Sequence, residues 1–159
     1  MEKHIFEKVK NCNICNSSNL KFILDLGNQP PANSLRKEFK FNLPLIPLQI
    51  FICLDCKTVQ LGHVVDENLL FSNYYWVTST SLTAIKHSKL FYDELIKRIK
   101  IKKLNVLEIA SNDGTFLKPF KFGGHDVLGI DPAKNISKIA NEQGITTLPK
   151  FFSQDLVLS

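Results

Sequence analysis

The second half of the chain alternates between short apolar runs and helix-like spacing. Residues 104–109 form an apolar run around one acid, and residues 115–120 then carry apolar side chains three and four positions apart. Residues 127–130 form a second apolar run, which ends on Asp131. Short continuous runs indicate buried strands, whereas the three-four spacing indicates a helix. The order predicts a βαβ unit, in which ligands bind beyond the carboxyl ends of the parallel strands.

A longer helix and a third strand are predicted on either side of this unit. Residues 82–101 have helical spacing, and Ser81 precedes them as an amino-terminal cap. The apolar positions of this helix are Leu82, Ile85, Leu90, Phe91, Leu95, Ile96 and Ile99. Residues 145–148 form the candidate third strand. The charged face of the helix, with the basic run 97–103, is expected to be a solvated surface.

The first half of the chain has a strand-like pattern interrupted by prolines. Residues 24–27 predict an extended strand that leads into a Pro-Pro turn. Two prolines within residues 41–52 exclude a helix there, so residues 48–52 are predicted as a strand. Residues 58–63 then predict the returning strand, which makes this part of the chain rich in β structure.

The sequence contains four cysteines, arranged as Cys12-x-x-Cys15 and Cys53-x-x-Cys56 with 37 residues between the pairs. Each turn of this kind brings two sulfurs to one metal, and two turns complete a tetrahedral zinc site. Structural zinc supplies roughly 10–16 kcal/mol in finger peptides, far more than the extra closure entropy of a long loop. The alternatives are disulfides, which the cytosol disfavours, or a redox pair, which does not explain two copies. A closed site of four thiolates predicts a structural rather than a catalytic zinc ion.

Length and composition indicate a globular protein of one or two small domains. The chain has 159 residues, of which 44% are hydrophobic and 22% charged. The sequence shows no signal peptide or membrane span, so we expect a cytoplasmic protein with no membrane partner. The predicted class is α+β. The predicted domains are a zinc-binding module (1–66), an aromatic junction with a linking helix (67–101) and an α/β domain (102–159).

The formal net charge of +5 gives weak support to nucleic-acid binding. The excess lies in residues 81–159, which hold twelve Lys and Arg against eight Asp and Glu. A zinc ion with four thiolates contributes about −2, which leaves about +3. Nucleic acid is therefore a disfavoured partner. A basic zinc protein for RNA or DNA stays an alternative, and it predicts salt-dependent binding.

The loop after the first apolar run carries acids in place of the glycines of a dinucleotide site. Gly114 is its single glycine, whereas a pyrophosphate loop needs several. Glu108 and Asp113 would repel a diphosphate, because like charges about 4 Å apart cost about 4 kcal/mol even when moderately screened. The same acids suit a cation such as S-adenosylmethionine (SAM), which carries an ammonium and a sulfonium group. Asp131 can accept hydrogen bonds from the ribose diol of such a ligand.

The loop resembles the first two motifs of class I SAM-dependent methyltransferases, whose commoner form is Glu-x-Gly-x-Gly-x-Gly. Ala110 and Asn112 stand at the first two glycine positions here. The resemblance implies a cofactor site formed by Glu108, Ala110, Ser111, Asn112, Asp113, Gly114, Asp131 and Pro132. The alternative is an ordinary α/β strand and turn with acids at its exposed end.

The order of motifs along nearly the whole chain resembles the amino-terminal half of the zinc-containing sugar C-methyltransferases. The motifs are Cys12-x-x-Cys15, Leu24-Asp-Leu-Gly with Gln29-Pro30, Cys53-x-x-Cys56, Leu70-Phe-x-x-Tyr74 with Ser79-Thr-Ser81, Glu108-Ile-Ala-Ser-Asn-Asp-Gly114 and Gly129-Ile-Asp-Pro-Ala133. The resemblance implies a zinc module followed by a linking helix and the first half of a Rossmann-like class I methyltransferase domain. It also implies methyl transfer from SAM to a carbon of a nucleotide-linked keto-deoxysugar, the small-molecule substrate of the full-length parent.

The chemistry of this family implies a role for tyrosine. A carbon atom becomes nucleophilic when a proton is removed beside a carbonyl, which requires a base and a stabiliser for the enolate oxygen. Tyr74 matches the family's Phe-x-x-Tyr pattern, the next family aromatic falls on Trp76, and Tyr75 is the fallback. Tyr74 and Tyr75 are thus the expected catalytic residues. Without the resemblance, the residues favour core aromatics that anchor the zinc module to the helix.

Length is the main departure from this family. A class I methyltransferase sheet has more strands than the two or three predicted here, and the family's later His/Glu pair is absent. We expect a truncated or partial chain with the zinc module and half of the SAM site, which would not turn over by itself. Its open apolar sheet edge is expected to favour self-association. A stand-alone zinc-binding interaction module is the other reading, and it predicts zinc but no SAM affinity.

Overall fold

The structure, a computed structural model, describes residues 5–32, 34 and 44–158. Its contacts divide the chain into two compact units, Met1–Leu70 and Phe71–Ser159. Residues 41–43 of the proline-containing stretch lie outside the described residues. No described helix is long and apolar enough to cross a lipid bilayer. The three-part division of the sequence stays a prediction.

The first unit is built from two small antiparallel sheets. Its elements are β1 (Phe6–Lys8), β2 (Leu20–Gln29), β3 (Ile46–Cys53), β4 (Val59–Leu61), β5 (His63–Val65) and α1 (Glu67–Phe71), the last of which extends one residue beyond it. β1 pairs with β5, and β3 lies between β2 and β4. The strands predicted in this half of the sequence are present, and β3 ends on a cysteine. The second cysteine pair therefore occupies the hairpin turn between β3 and β4.

The second unit is built around a parallel sheet of three strands. After a 3₁₀ turn (Thr78–Thr80), its elements are α2 (Leu82–Arg98), β6 (Asn105–Ile109), α3 (Lys118–Phe122), β7 (Asp126–Ile130), α4 (Lys134–Glu142), β8 (Thr147–Leu148) and α5 (Gln154–Leu158). The strand order is β6, β7, β8, and Ile109 at the end of β6 pairs with Ile130 at the end of β7. The carboxyl ends of these strands therefore lie side by side, as the βαβ pattern predicts.

The element ends differ from the sequence prediction where the backbone turns. α2 starts as predicted, with the Ser81 side chain accepting from Ala84 N at 3.2 Å. It ends at Arg98 rather than residue 101 because Ile99 is extended, with φ −96° and ψ 113°. α3 begins at Lys118, since a tight turn in which Leu117 N donates to Gly114 O comes first. The third predicted strand is only two residues long.

The apolar core of the second unit lies directly beneath the loop that follows β6. Leu117, Ala140 and Ile145 are buried together, and Val106 and Val127 of the sheet pack against them. A Cβ added to Gly114 would lie 2.7 Å from Ile145 Cγ2, so the loop rests on this core at a position that requires glycine. Packing therefore fixes the height of the loop above the sheet.

β6 is one of the two outer strands of the described sheet, with β8 on the other side. Its side chains Leu107 and Ile109 are 51% and 53% exposed. An edge strand with exposed apolar side chains is a site where another strand can pair. Self-association through this edge stays a prediction.

Gly129→Ala is expected to destabilise the second unit. A Cβ at this position in β7 would lie 2.4 Å from Ser111 Oγ and 2.7 Å from Thr147 Oγ1, and both side chains are buried. We expect the free energy of unfolding in urea to fall by about 1–3 kcal/mol, the usual cost of overpacking. Asp126→Ala, at the exposed first residue of the same strand, is the control and should cost less than about 0.5 kcal/mol. Equal stability of the two variants would contradict this account.

Candidate functional site

The four cysteines of the first unit form one cluster in which every sulfur lies within 4.8 Å of the others. Cys12 Sγ is 3.5 Å from Cys56 Sγ, and Cys15 Sγ is 3.6 Å from Cys53 Sγ. All four are free thiols, and hydrogen bonds to Thr58 lower the pKa of Cys56 to about 6. Sulfurs at these separations can share one metal ion at Zn–S distances of about 2.3 Å. The cluster fits the predicted zinc site.

The two Cys-x-x-Cys turns have the same backbone design. Asn16 N donates to Cys12 O in the first turn, and Lys57 N donates to Cys53 O in the second, both at 2.9 Å. Asn16 and Lys57, each one residue after the second cysteine of the turn, have left-handed φ values of 60° and 66°. In both turns the first cysteine is buried and the second is exposed. The chain thus builds the same sulfur-presenting turn twice, as a metal site with two ligands from each turn requires.

Polar side chains outside the cysteine pattern tie the first turn to the second half of the module. Asp55 Oδ1, within the second turn, accepts from Asn19 Nδ2 at 3.0 Å. Gln60, buried in β4, accepts from Asn13 N at 3.0 Å and donates to Asn11 O at 3.3 Å. Spacing gave no signal for Gln60, because its partners lie 47 and 49 positions away in the sequence.

In the second unit, the loop after β6 has the backbone shape of a glycine-rich turn without most of its glycines. Ala110, Asn112 and Gly114 all have left-handed φ values, at 58°, 50° and 73°. This region costs L-amino acids roughly 1–2 kcal/mol, and asparagine tolerates it better than alanine. Ser111 is buried between them, and its N donates to Ile130 O at 3.2 Å. Both departures from the commoner glycine pattern therefore keep the shape that glycine would give.

Three carboxyl groups interact around this loop. Burial, together with the negative charges of Asp113 and Asp131, raises the pKa of Glu108 to about 7. Glu108 Oε2 is buried and has no hydrogen-bond partner among the described residues. Burial also acts to raise the pKa of Asp113, but hydrogen bonds from Ser79 and Thr115 help to lower it overall. Glu108 is therefore the acid whose charge is least compensated.

Asp131 is held by backbone amides on both sides. Its Oδ2 accepts from Asn112 N at 2.8 Å, and its Oδ1 accepts from Ala133 N at 2.9 Å. Asp131 and Pro132 thereby join the loop after β6 to the start of α4. Carboxylate oxygens each have two lone pairs, so Asp131 can still accept from a ligand hydroxyl. The structure thus brings the whole predicted cofactor set to the adjoining ends of β6 and β7, while its role stays a prediction.

Residues 72–78, here called the aromatic segment, contain the predicted catalytic tyrosines. Tyr75 and Trp76 are 57% and 55% exposed, so they are not core residues, whereas Tyr74 is half-buried. Asn135 of α4, which the sequence analysis did not single out, hydrogen-bonds to the backbone of Tyr74. No local pattern could reveal this contact, because the two residues are 61 positions apart.

Two comparisons with known proteins give matches, one over the region of the cysteine cluster and one over nearly the whole chain. Residues 12–71, which include all four clustered cysteines, match a family model described as "Putative zinc binding domain". The chain is 29% identical over 155 residues to the C-methyltransferase NovU of Streptomyces niveus. The chain is similar to the amino-terminal region of a zinc-containing C-methyltransferase.

The resemblance to zinc-containing C-methyltransferases predicted from the order of motifs is thereby confirmed. The match covers 96% of the chain and 37% of NovU, so the chain spans little more than a third of the length of that relative. The family description and the sulfur cluster together support zinc as the metal of the first unit.

We expect one zinc ion per chain, measured by inductively coupled plasma mass spectrometry. Cys53→Ser should abolish stoichiometric zinc and unfold the first unit, because structural zinc of this kind supplies roughly 10–16 kcal/mol. Amide exchange within residues 1–70 reports the unfolding. Asn13→Ala is the matched control, since this exposed residue lies between two ligands and its contact to Gln60 uses backbone N. Full zinc content in Cys53→Ser would contradict the four-thiolate site.

The raised pKa of Glu108 predicts that stability falls as the pH rises. The carboxyl titrates near 4.5 in its ordinary state and near 7 in the folded chain, so the folded state binds this proton more tightly. The resulting stabilisation is complete below the lower value and is lost as the pH rises through the higher one. Urea unfolding should therefore give a lower free energy at about pH 8 than at about pH 6.

Glu108→Gln tests the origin of this pH dependence, because it keeps the shape and removes the titration. The variant should lose most of the decline, whereas Asp126→Asn, at an exposed acid of β7, should keep it. An unchanged decline in Glu108→Gln would show that another group is responsible.

Proposed function

We propose that the chain supplies the zinc module and half of the SAM site of a SAM-dependent C-methyltransferase that acts on a nucleotide-linked keto-deoxysugar. The observation that carries the proposal is Glu108 Oε2, which is buried, has no hydrogen-bond partner within the described part of the chain and interacts with two further carboxyl groups. A buried, uncompensated carboxylate is costly, and a bound cation would remove that cost. When bound, SAM supplies an electrophilic methyl group on a positively charged sulfur.

The geometry of the second unit supports a Rossmann-like cofactor domain. Parallel strands β6 and β7 are joined through α3, and the three acids lie in or directly after their adjoining carboxyl ends. Ligands of open α/β sheets bind at this edge. Within the proposal, Glu108 compensates the positive charge, Asp131 accepts from the ribose hydroxyls, and the loop 110–114 supplies the backbone surface against which the nucleoside lies.

Tyr74 is the residue to which we assign the handling of the substrate proton, with Tyr75 as the alternative. Removal of a proton beside the sugar carbonyl leaves an enolate oxygen, and a tyrosine hydroxyl can hold or donate a proton at such an oxygen. The exposed rings of Tyr75 and Trp76 offer aromatic surface for the apolar face of a sugar. The aromatic segment belongs to the same unit as the acids, which supports one shared site.

The proposal assigns to this chain the binding of the cofactor and a contribution to the substrate site, rather than complete turnover. The chain spans 37% of NovU, and methyl transfer is proposed for an enzyme of that relative's kind as a whole. Zinc is structural in this scheme, because four thiolates leave no open coordination position. A small-molecule substrate and a cytoplasmic location accompany the proposal.

Isothermal titration of the zinc-loaded chain with S-adenosylhomocysteine tests the proposal. We expect saturable heat that Glu108→Gln weakens at least about tenfold, because hydrogen bonds to charged groups contribute about 1.5–3 kcal/mol. Asp131→Ala should also abolish or weaken binding, and Asp126→Asn is the matched control that should not. Zinc binding without any heat from the nucleoside would favour the stand-alone zinc module, and salt-dependent RNA or DNA binding would favour the nucleic-acid alternative.

The pH dependence of the same titration tests the role of Glu108 directly. The ammonium group of the ligand pairs with the ionised carboxyl, whose pKa is raised to about 7 in the free chain. Affinity should therefore rise between about pH 6 and about pH 8, with release of a proton on binding. Glu108→Gln should flatten this profile, and a profile that stays steep in this variant would contradict the assignment.

A further inference from the structure

The aromatic segment is hydrogen-bonded through its backbone to α4 and to the loop after β6. Lys134 N donates to Ser72 O at 3.1 Å. Tyr74 N donates to Asn135 Oδ1 at 3.0 Å, and Asn135 Nδ2 donates back to Tyr74 O at 2.7 Å. The amide group of Asn135 therefore pairs with the segment as a neighbouring β-strand would. These contacts attach the first half of the segment to α4, the helix that follows Asp131.

Asn112 attaches the second half of the segment to the loop after β6. Its Nδ2 donates to Trp76 O at 3.0 Å, and its Oδ1 accepts from Thr78 N at 2.8 Å. Its own backbone N donates to Asp131 Oδ2 at 2.8 Å. One residue therefore connects the loop, the acid after β7 and the segment that carries Tyr74.

The residue type at position 112 matters for this arrangement. The φ of 50° is one that glycine and asparagine adopt readily, so glycine would preserve the loop but could not reach the segment. Of these two residues, asparagine has a short side chain with both a hydrogen-bond donor and a hydrogen-bond acceptor, whereas glycine has no side chain. The departure from the commoner glycine pattern thus adds a function that glycine does not have.

Burial does not hold Tyr75 and Trp76 in place. Both are more than half exposed, so little apolar area fixes them. The polar contacts of Asn112 and Asn135 therefore contribute to the position of the segment, together with the Phe71–Tyr74 ring contact and the Lys134 hydrogen bond.

We propose that Asn112 and Asn135 are positioning residues that fix the aromatic segment to the cofactor loop, so that ligand binding at the loop and the placement of Tyr74 and Trp76 are coupled. The ligand-dependent part rests on the proposed function, whereas the anchoring itself does not. Asn112 acts through the backbone of the segment rather than by contact with the reacting atoms.

The sequence provides its own probe, because Trp76 is the single tryptophan. The variants are Asn112→Gly, which keeps the loop backbone, and Asn135→Ala, at an exposed position of α4. Lys138→Ala, at another exposed position of the same helix, is the matched control. Far-UV circular dichroism and zinc content confirm that each full-length, zinc-loaded variant is folded.

Without ligand, we expect the fast local component of the Trp76 anisotropy decay to grow in both asparagine variants. Loss of two hydrogen bonds shifts the equilibrium between attached and detached segment by roughly tenfold. Lys138→Ala should match the unmodified chain. The anchoring inference is overturned if both asparagine variants also match it, and this comparison holds whether or not a nucleoside binds.

With S-adenosylhomocysteine, the unmodified chain should show a saturable change in Trp76 anisotropy that follows the calorimetric binding curve. Asn135→Ala, which lies outside the predicted cofactor set, should still bind the ligand, with less than about tenfold loss, but the Trp76 response should be lost. A normal Trp76 response in Asn135→Ala would overturn the coupling. Absence of calorimetric binding to the unmodified chain would overturn the proposed function and the coupling together. The anchoring would then be tested by the ligand-free comparison of the variants.

Discussion

Repulsion among three carboxyl groups is the constraint on which the second unit depends. Parallel pairing of β6 with β7 brings Glu108, Asp113 and Asp131 to one end of the sheet, where burial strengthens their interaction. The fold compensates two of these groups more fully. The Thr115 hydroxyl donates to Asp113 Oδ1, and two backbone amides donate to Asp131. Asp113 Oδ2 accepts no hydrogen bond from the described residues, but the Lys118 ammonium lies 3.9 Å from it. Glu108 is left with a buried oxygen that has no hydrogen-bond partner in the described part of the chain.

Several features of the loop after β6 hold these carboxyl groups in place. The left-handed conformations of Ala110 and Asn112 turn the backbone sharply, so that Asn112 N can reach Asp131. Gly114 rests against Ile145, and Gly129 leaves room for the buried Ser111. Core packing below the loop and hydrogen bonds above it therefore fix the same few residues. A loop fixed from both sides holds its acids in place before any ligand arrives, which is the condition for tight binding of a charged group.

A different constraint governs the first unit, which has little apolar core of its own. The buried hydrophobic residues in the described part of this unit are Cys12, Ile46 and Cys53. Two of these three belong to the sulfur cluster, while several apolar side chains of β2, including Phe22 and Leu24, are close to half exposed. Small domains of this kind commonly depend on a structural metal to stabilise the fold. The two Cys-x-x-Cys turns, which share a left-handed residue at Asn16 and at Lys57, present the sulfurs to such a metal.

The sequence by itself determined the features that depend on local spacing. The Cys-x-x-Cys pairs, the βαβ pattern and the Ser81 cap follow from residues close together in the chain, and the structure contains all of them. The tertiary structure decided what depends on contacts between distant residues. The raised pKa of Glu108 depends on its burial and on the charges of Asp113 and Asp131, and Asn135 meets Tyr74 across 61 positions. Periodicity records which side of an element is buried, but it carries no information about which polar group meets which, because that depends on how the elements pack.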